Sequence, residues 1–407
     1  MPELAGSVSL SLLIVGGLLA LSIVLRPVMR GLGVPPLVGF ILLGFGLRLA
    51  DSGLGFLSAD LVSALQLLAG LGIFALLFRV GLESKLDALL REFPRAAPIW
   101  LVNMLLSGAL GYLVGRHIVG LQLIPSLFIA VAFTATSVGV STQVWQEAGA
   151  LKSRRGSLLI DVAELDDLSA VFLMVLLVGI APILSGAADG SVLAVAGWTA
   201  LALVAKALLF GALCVLFSRY LERPITRYFA RHERPPDLML LVAGVGVLIA
   251  AFAGLLGLSL AVGALFAGLV FSRDPEAVHV DASFGALYDL FVPFFFIGIG
   301  LQFEPASLGL VLAGAGFLFA AAVIGKVLGA GLPALALDGL AGASLIGVSM
   351  VPRAEIALVI LDEGRRLGPW AVSSELFATM VLVSLATCIA APILLRPMLA
   401  RWPPPTD

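Results

Sequence analysis

The sequence Asp161-Val162-Ala163-Glu164-Leu165-Asp166-Asp167-Leu168 places four carboxyl side chains inside one apolar run, at about residues 154–182. A bilayer core about 30 Å thick is crossed by roughly 20 helical residues, so this run is long enough to cross it. An ionised side chain near the centre of a bilayer costs about 2.5–3.5 kcal/mol on insertion scales. Adjacent carboxylates at that depth are therefore candidates for a functional site.

The composition indicates that most of the chain faces lipid. Of the 407 residues, 60% are hydrophobic and 12% are charged, against about 45–50% and 25% in soluble domains. The net charge of −2 argues against a nucleic-acid-binding protein, because such domains are basic. Cys214 and Cys388 lie in separate apolar runs and predict no disulfide framework and no cysteine metal site. We expect an all-α polytopic membrane protein without a cofactor.

Apolar runs bounded by charged residues, Pro or Gly predict thirteen transmembrane helices. The runs are about 7–25, 35–50, 60–81, 96–115, 122–147, 154–182, 191–217, 236–256, 258–272, 283–301, 306–330, 340–362 and 373–395. The second and the ninth runs are short, and the longest polar segment lies at about residues 219–237.

The distribution of Lys and Arg predicts the orientation. With thirteen spans, sixteen of the 24 basic residues lie in loops on one side and four on the other. Because positive residues concentrate on the cytoplasmic side, we expect an outside N-terminus and a cytoplasmic C-terminus in a cell (inner) membrane. The remaining four, Arg79, Lys206, Lys326 and Arg353, lie within spans. We expect Arg79 and Lys206 to reach an interface with their long side chains.

Five charged residues lie near the middle of predicted spans, and their charges sum to −1. They are Asp166 and Asp167 in the sixth span, Lys326 in the eleventh, and Arg353 and Glu355 in the twelfth. A helix-bundle interior that is this close to neutral, with one carboxylate in excess, is suited to a proton or a cation. A purely structural ion pair between Lys326 and the acidic pair is the alternative.

Two spans carry sequences that interrupt a helix. The fifth contains Thr134-Ala-Thr136-Ser137-Val-Gly139-Val-Ser141, and the twelfth contains Pro352 before Arg353. Proline removes a backbone donor and disfavours helix at the preceding residue. Each interrupted span is fifth in a group of six, which predicts two inverted six-helix repeats with two crossed discontinuous helices. The alternative for the Thr/Ser-rich stretch is helix packing alone.

Together these residues resemble the monovalent cation:proton antiporter-2 family, the bacterial sodium/proton antiporter type related to glutathione-regulated potassium-efflux transporters. Further matches are Gly81-Leu82-Glu83, Val262-Gly263-Ala264-Leu-Phe266-Ala267-Gly268-Leu and Pro293-Phe-Phe295-Phe296-Ile-Gly-Ile-Gly300-Leu. The motifs follow the family order over nearly the whole chain. Ala354 stands where glycine is usual.

The resemblance implies a homodimer in the lipid bilayer that works by an elevator-like form of alternating access. Residues 1–82 and 236–301 would form the dimer (panel) domain, and residues 96–182 and 306–395 the core transport domain. Residues 191–217 would be the linker helix. The potassium-efflux relatives carry a soluble nucleotide-binding domain, and we expect none in this chain.

The resemblance also assigns roles to residues. Asp167 would be the ion-binding carboxylate, Asp166 its neighbour and the ion-pair partner of Lys326, and Arg353 with Glu355 would stabilise the crossed half-helices. A monovalent cation and protons would compete for the acidic pair. Hydroxyls at the first interruption would complete an oxygen cage for a hard cation, and they belong to Thr134, Thr136 and Ser137.

Asp161 and Glu164 precede Asp167 at three-residue steps, so the three lie roughly along one helix face. This stripe is a candidate proton relay or cation-attracting path. The alternative is that Asp161 only faces the cytoplasmic entrance and that Glu164 pairs with a nearby basic residue. Both interpretations stay open.

The expected function is antiport of Na+, or of K+ or Li+, against protons, and not an enzymatic reaction. An acidic pair resembles that of electrogenic relatives, which move more protons than cations. The alternatives are a potassium/proton antiporter, a potassium-efflux transporter, or a different ion-coupled symporter or channel on the same scaffold. An intramembrane aspartyl protease is disfavoured, because Asp166 and Asp167 are adjacent and no Gly-x-Gly-Asp motif occurs.

Overall fold

The computed structural model describes residues 2–83, 86–185, 192–222, 224, 235–256, 258, 260–272, 277–303 and 308–403. These residues form helices joined by short connections, and no strand occurs among them. The helices are α1 Pro2–Gly31, α2 Pro36–Leu54, α3 Ala59–Glu83, α4 Leu86–Leu113, α5 Leu123–Thr134, α6 Val138–Glu147, α7 Arg154–Ser185, α8 Val192–Phe217, α9 Pro235–Leu255, α10 Leu260–Phe271, α11 Ala277–Leu301, α12 Leu308–Ser349, α13 Glu355–Leu367 and α14 Ser374–Arg401. Single π-helical turns, Val114–Ile118 and Ser218–Glu222, extend α4 and α8.

Ten helical stretches in the described part of the chain are long and apolar enough to cross a bilayer. Met239–Leu255 and Leu260–Phe271 are apolar but shorter. The predicted class of all-α multi-pass membrane protein is confirmed. The number thirteen and the inverted repeats stay predictions. Most of the polar segment at 219–237 lies outside the described residues.

One compact unit comprises Met1–Ser84 and Leu209–Pro305. In it α3 packs against α10 and α11, and α2 packs against α11. Two glycine pairs allow these close crossings, Gly44 with Gly300 and Gly81 with Gly268. A Cβ atom at any of the four would collide with a backbone carbonyl of the facing helix. Arg79, near the end of α3, lies 2.6 Å from Glu83 and 4.6 Å from the ring centre of Tyr288.

The second compact unit comprises Lys85–Leu208 and Ala306–Asp407. Here α4 packs against α5, α7 and α12, while α14 packs against α6 and α12. The buried core between these helices includes Ile99, Trp145, Leu159, Ile346 and Leu395. The assignment of the two units to dimerisation and transport stays a prediction.

The helix α12 covers the eleventh predicted span and the first part of the twelfth, and it contains a break at Gly339. This glycine has φ 65° and ψ −169°, a conformation that side-chain-bearing residues avoid. Asp338 precedes the break and forms an ion pair with Arg155 at the start of α7. The two predicted runs 306–330 and 340–362 therefore follow each other with a bend and no separate loop.

Both predicted interruptions are present, and they touch. The backbone leaves the helical conformation at Ala135–Ser137 between α5 and α6, and again between Ser349 and Glu355. Pro352 in the second break explains why helix cannot continue there. The Ser137 N–H donates to the Pro352 carbonyl at 2.8 Å. The interruptions thus bring polar backbone groups together inside the second unit.

Candidate ion-binding site

The centre of the site is a fully buried ion pair between α7 and α12. Lys326 Nζ lies 2.6 Å from Asp166 Oδ2, and neither side chain has exposed surface. Lys326 also donates to the Thr134 carbonyl at 2.7 Å and to Thr136 Oγ1 at 2.8 Å. The predicted pairing of Asp166 with Lys326 is therefore present in the structure, and it lies against the first interruption.

Hydrogen bonds to Asp166 are concentrated on one oxygen. Besides Lys326, Thr136 Oγ1 donates to Asp166 Oδ2 at 2.7 Å, and Asn103 Nδ2 donates to it at 2.6 Å. The other oxygen, Asp166 Oδ1, is buried and has no hydrogen-bond partner among the described residues. A buried carboxylate oxygen normally has a partner. Oδ1 is thus a free acceptor in the interior of this unit.

Asp167 is the more accessible acid of the pair, with 8% of its surface exposed. Its Oδ1 accepts a long hydrogen bond, 3.4 Å, from the Thr136 N–H. Long hydrogen bonds are weak, so this carboxylate is held less firmly than Asp166.

Arg353 binds backbone carbonyls at the ends of the broken helices. Its guanidinium is fully buried and donates to the carbonyls of Phe133, Ala322 and Val351 at 3.1–3.2 Å. It also lies 4.4 Å from the ring centre of Phe133. Lys326 and Arg353 thereby cap the last carbonyls of α5, where the helix dipole is negative.

The carboxylate of Glu355 is at the first position of α13, where the helix dipole favours negative charge. Ser137 Oγ donates to Glu355 Oε2 at 2.6 Å. Thr134 Oγ1 donates to the Val131 carbonyl of its own helix at 2.8 Å. Of the three predicted hydroxyl ligands, Thr136 alone donates to the acidic pair through its side chain in this structure.

Asp161 and Glu164 lie on α7 toward its N-terminus, and both are partly buried. Each interacts with other groups of the protein. Neither appears among the hydrogen-bond partners described above for Asp166 and Asp167. The proton-relay role of this stripe stays a prediction.

Sequence reasoning missed the roles of several polar residues that support the site. Asn103 on α4 bonds Asp166, and Ser141 Oγ donates to the Ser349 carbonyl at 2.6 Å. Trp145 Nε1 donates to Ser349 Oγ at 2.8 Å. The signal for Asn103 was available, because an amide in the middle of an apolar span usually has a partner on another helix.

Comparison with known proteins identifies the family. The family described as "Sodium/hydrogen exchanger, transmembrane" matches residues 17–401. The high-affinity Na+/H+ antiporter NhaS3 of Synechocystis sp. is 28% identical over 343 residues, which are 82% of this chain and 71% of that protein. The Na+/H+-K+ antiporter GerN of Bacillus cereus is 26% identical over 372 residues, 90% of each chain.

The fold is shared with a solved structure. The sodium proton antiporter MjNhaP1 from Methanocaldococcus jannaschii at pH 8 superposes with a TM-score of 0.72 at 11% identity, covering 97% of this chain and 99% of that one. The resemblance predicted from the motifs is confirmed by the family match over nearly the whole sequence. The chain belongs to the sodium/hydrogen exchanger family of transmembrane proteins.

Proposed function

We propose that the protein is a secondary active antiporter that exchanges a monovalent cation, sodium first, for protons at Asp166 and Asp167. The observation that carries the proposal is the buried Asp166–Lys326 pair beside the loosely held Asp167. Both lie against the touching interruptions of two helices, where transporter sites occur.

The balance of charge explains why one site would serve two ions. Asp166, Asp167 and Glu355 carry three negative charges when ionised, against two positive charges on Lys326 and Arg353. Because an uncompensated charge in a protein interior is strongly unfavourable, the excess carboxylate requires either a proton or a cation. The two occupants exclude each other, which is the basis of exchange.

The oxygen groups at the site suit a hard monovalent cation. Asp167 and the free Oδ1 of Asp166 supply carboxylate oxygens, and the interruption supplies backbone carbonyls. A cation that binds there competes with Lys326 for Asp166, so its binding loosens the ion pair and favours release of protons. The excess carboxylate releases one proton, and a second would come from Lys326 once the cation has displaced it from Asp166, so that more protons than cations move and transport is electrogenic.

The wider mechanism is part of the same proposal. The second unit would carry the site across the membrane as a rigid body, in an elevator-like movement. The first unit would form a homodimer in the cell (inner) membrane, with an outside N-terminus and a cytoplasmic C-terminus. The charge asymmetry of the loops supports this orientation.

Potassium is the second candidate for the transported cation. The name of GerN includes both sodium and potassium, whereas the name of NhaS3 includes sodium alone. The carboxylate and carbonyl oxygens at the site are ligands for either ion. Measurements with each cation separate the two candidates.

The test is exchange in proteoliposomes that hold a preformed pH gradient. Adding sodium, potassium or lithium dequenches a pH-sensitive dye when the wild-type protein exchanges that cation for protons. Asp167→Asn should abolish this signal. Asp362→Asn is the matched control, because Asp362 is a partly buried acid of the same unit that pairs with Arg366 on α13, and it should keep exchange. Full exchange in Asp167→Asn would overturn the assignment.

A further inference from the structure

Asn103 is the only asparagine in the sequence, and its side chain is fully buried on α4. Its amide reaches Asp166 Oδ2 at 2.6 Å, as close as Lys326 Nζ does. An amide donates a hydrogen bond to a carboxylate without adding a charge. Asn103 therefore stabilises the ionised Asp166 without competing for the counterion.

The contact between α4 and α12 holds Asn103 and Lys326 on the same oxygen. A Cβ atom at Gly329 would lie 2.8 Å from Asn103 Cα, and one at Gly325 would lie 3.1 Å from Ser107 Cα. Ser107 Oγ lies 3.5 Å from Asn103 Oδ1, so the amide oxygen faces Ser107 and the amide nitrogen faces Asp166. The two helices can approach this closely because glycines flank Lys326.

Three donors share one oxygen in this arrangement. A carboxylate oxygen has two lone pairs, so one of Lys326, Thr136 and Asn103 is redundant while the ion pair exists. When Lys326 withdraws, Thr136 and Asn103 match the two lone pairs of Oδ2. The amide is then needed more than before, because Asp166 would otherwise keep a single donor on that oxygen.

We propose that Asn103 is a positioning residue of the cation site, whose amide holds Asp166 Oδ2 when cation binding displaces Lys326. This inference rests on the proposed function. It leaves Oδ1, which has no partner among the described residues, turned toward the incoming ion. Hydrogen bonds to charged groups correspond to roughly 10–100-fold in an equilibrium constant. Loss of the amide should weaken cation binding by about tenfold, the lower end of this range, because Thr136 still donates to Oδ2.

The first experiment measures cation affinity in Asn103→Leu. With sodium, and separately with potassium, the apparent KM should rise about tenfold while the maximal rate changes less than about twofold. The cation-dependent rise in Tm of the purified protein gives the affinity without transport. Ser126→Ala is the matched control, since Ser126 is a fully buried serine of the same unit whose hydroxyl donates to the Gln122 carbonyl of its own turn, and its KM should stay within about twofold. An unchanged KM in folded Asn103→Leu overturns the proposal.

A second experiment separates this role from simple packing. In a Lys326→Gln background the lysine is absent from the free and the cation-bound states alike. Asn103 then stabilises Asp166 equally in the cation-free and the cation-bound state. Adding Asn103→Leu to this background should therefore change cation affinity less than about twofold. An equal tenfold loss in both backgrounds would show a packing role and overturn the proposal.

Failure of the proposed function and failure of the role of Asn103 give different experimental results. Absence of exchange for every cation in the wild-type protein contradicts the proposed function, whereas an affinity that Asn103→Leu leaves unchanged contradicts the role of Asn103. If the leucine variant does not fold, Asn103→Ser gives the same comparison, because its hydroxyl is too short to replace the amide at Asp166. It should show the same tenfold rise in KM.

Discussion

Removal of Lys326 is the perturbation whose consequence follows most directly from the structure. Lys326 and Asp166 form an ion pair of 2.6 Å with no exposed surface on either side chain. Removing one partner of a buried pair leaves an uncompensated charge, which destabilises proteins by about 3–5 kcal/mol. Lys326→Gln should lower the free energy of unfolding by this amount, since the amide supplies no positive charge.

Replacing both partners should recover most of the loss. In Asp166→Asn/Lys326→Gln neither charge remains buried, and neutral amides can still donate to Thr134 and Thr136. We expect the double variant to unfold within about 2 kcal/mol of the wild-type protein, which gives a large favourable coupling energy in a double-mutant cycle.

The assay is reversible unfolding of the purified protein in detergent, followed for the wild type, both single variants and the double variant. Arg155→Gln is the control, because Arg155 and Asp338 form an ion pair in the same unit with 18% and 32% of their side chains exposed. Pairs that reach solvent contribute about 0–1 kcal/mol. Additive effects of the two central substitutions, or a loss in Lys326→Gln no larger than in Arg155→Gln, would refute the reasoning.

Two further predictions concern packing and capping. Arg353→Lys should lower stability by about 2 kcal/mol or more, because an ammonium cannot reach the three carbonyls that the planar guanidinium joins; an unchanged Tm would contradict this role. Gly268→Val should destabilise the first unit by more than about 3 kcal/mol, since its side chain would meet the Phe78 carbonyl and Gly81. Gly254→Val, at a site with open space around the glycine, is its control and should have a smaller effect on Tm.

The sequence was sufficient to predict the helical class, both interruptions and the charged residues of the central ion pair, whereas the pairing of Asp166 with Lys326 came from the family resemblance. Each depends on a residue that is unusual at its depth: Pro352 within a span, hydroxyls in the fifth span, and Asp166 with Lys326 in apolar surroundings. Such residues can be recognised from the sequence alone, because they are unfavourable in a bilayer unless they have a partner.

The partners themselves were harder to predict, because they depend on which helices meet. Arg353 and Glu355 were expected to stabilise the crossed half-helices, but their partners were not predicted. The Arg353 guanidinium bonds three backbone carbonyls, and Glu355 accepts from Ser137. Every residue has a carbonyl, so no sequence pattern marks those three. The break at Gly339 was also missed, since one glycine in an apolar run has many ordinary explanations.

The central claim is that Asp167 belongs to a site where a cation and protons replace each other with net movement of charge. Its most direct test is the transient current on a solid-supported membrane after a sodium jump, compared between wild type, Asp167→Asn and Asp362→Asn. We predict a current in the wild type whose sign corresponds to positive charge moving opposite to sodium, because more protons than cations move. The current should persist in Asp362→Asn and vanish in Asp167→Asn. A current in Asp167→Asn as large as that of the wild-type protein would contradict the assignment of Asp167 to the exchange site.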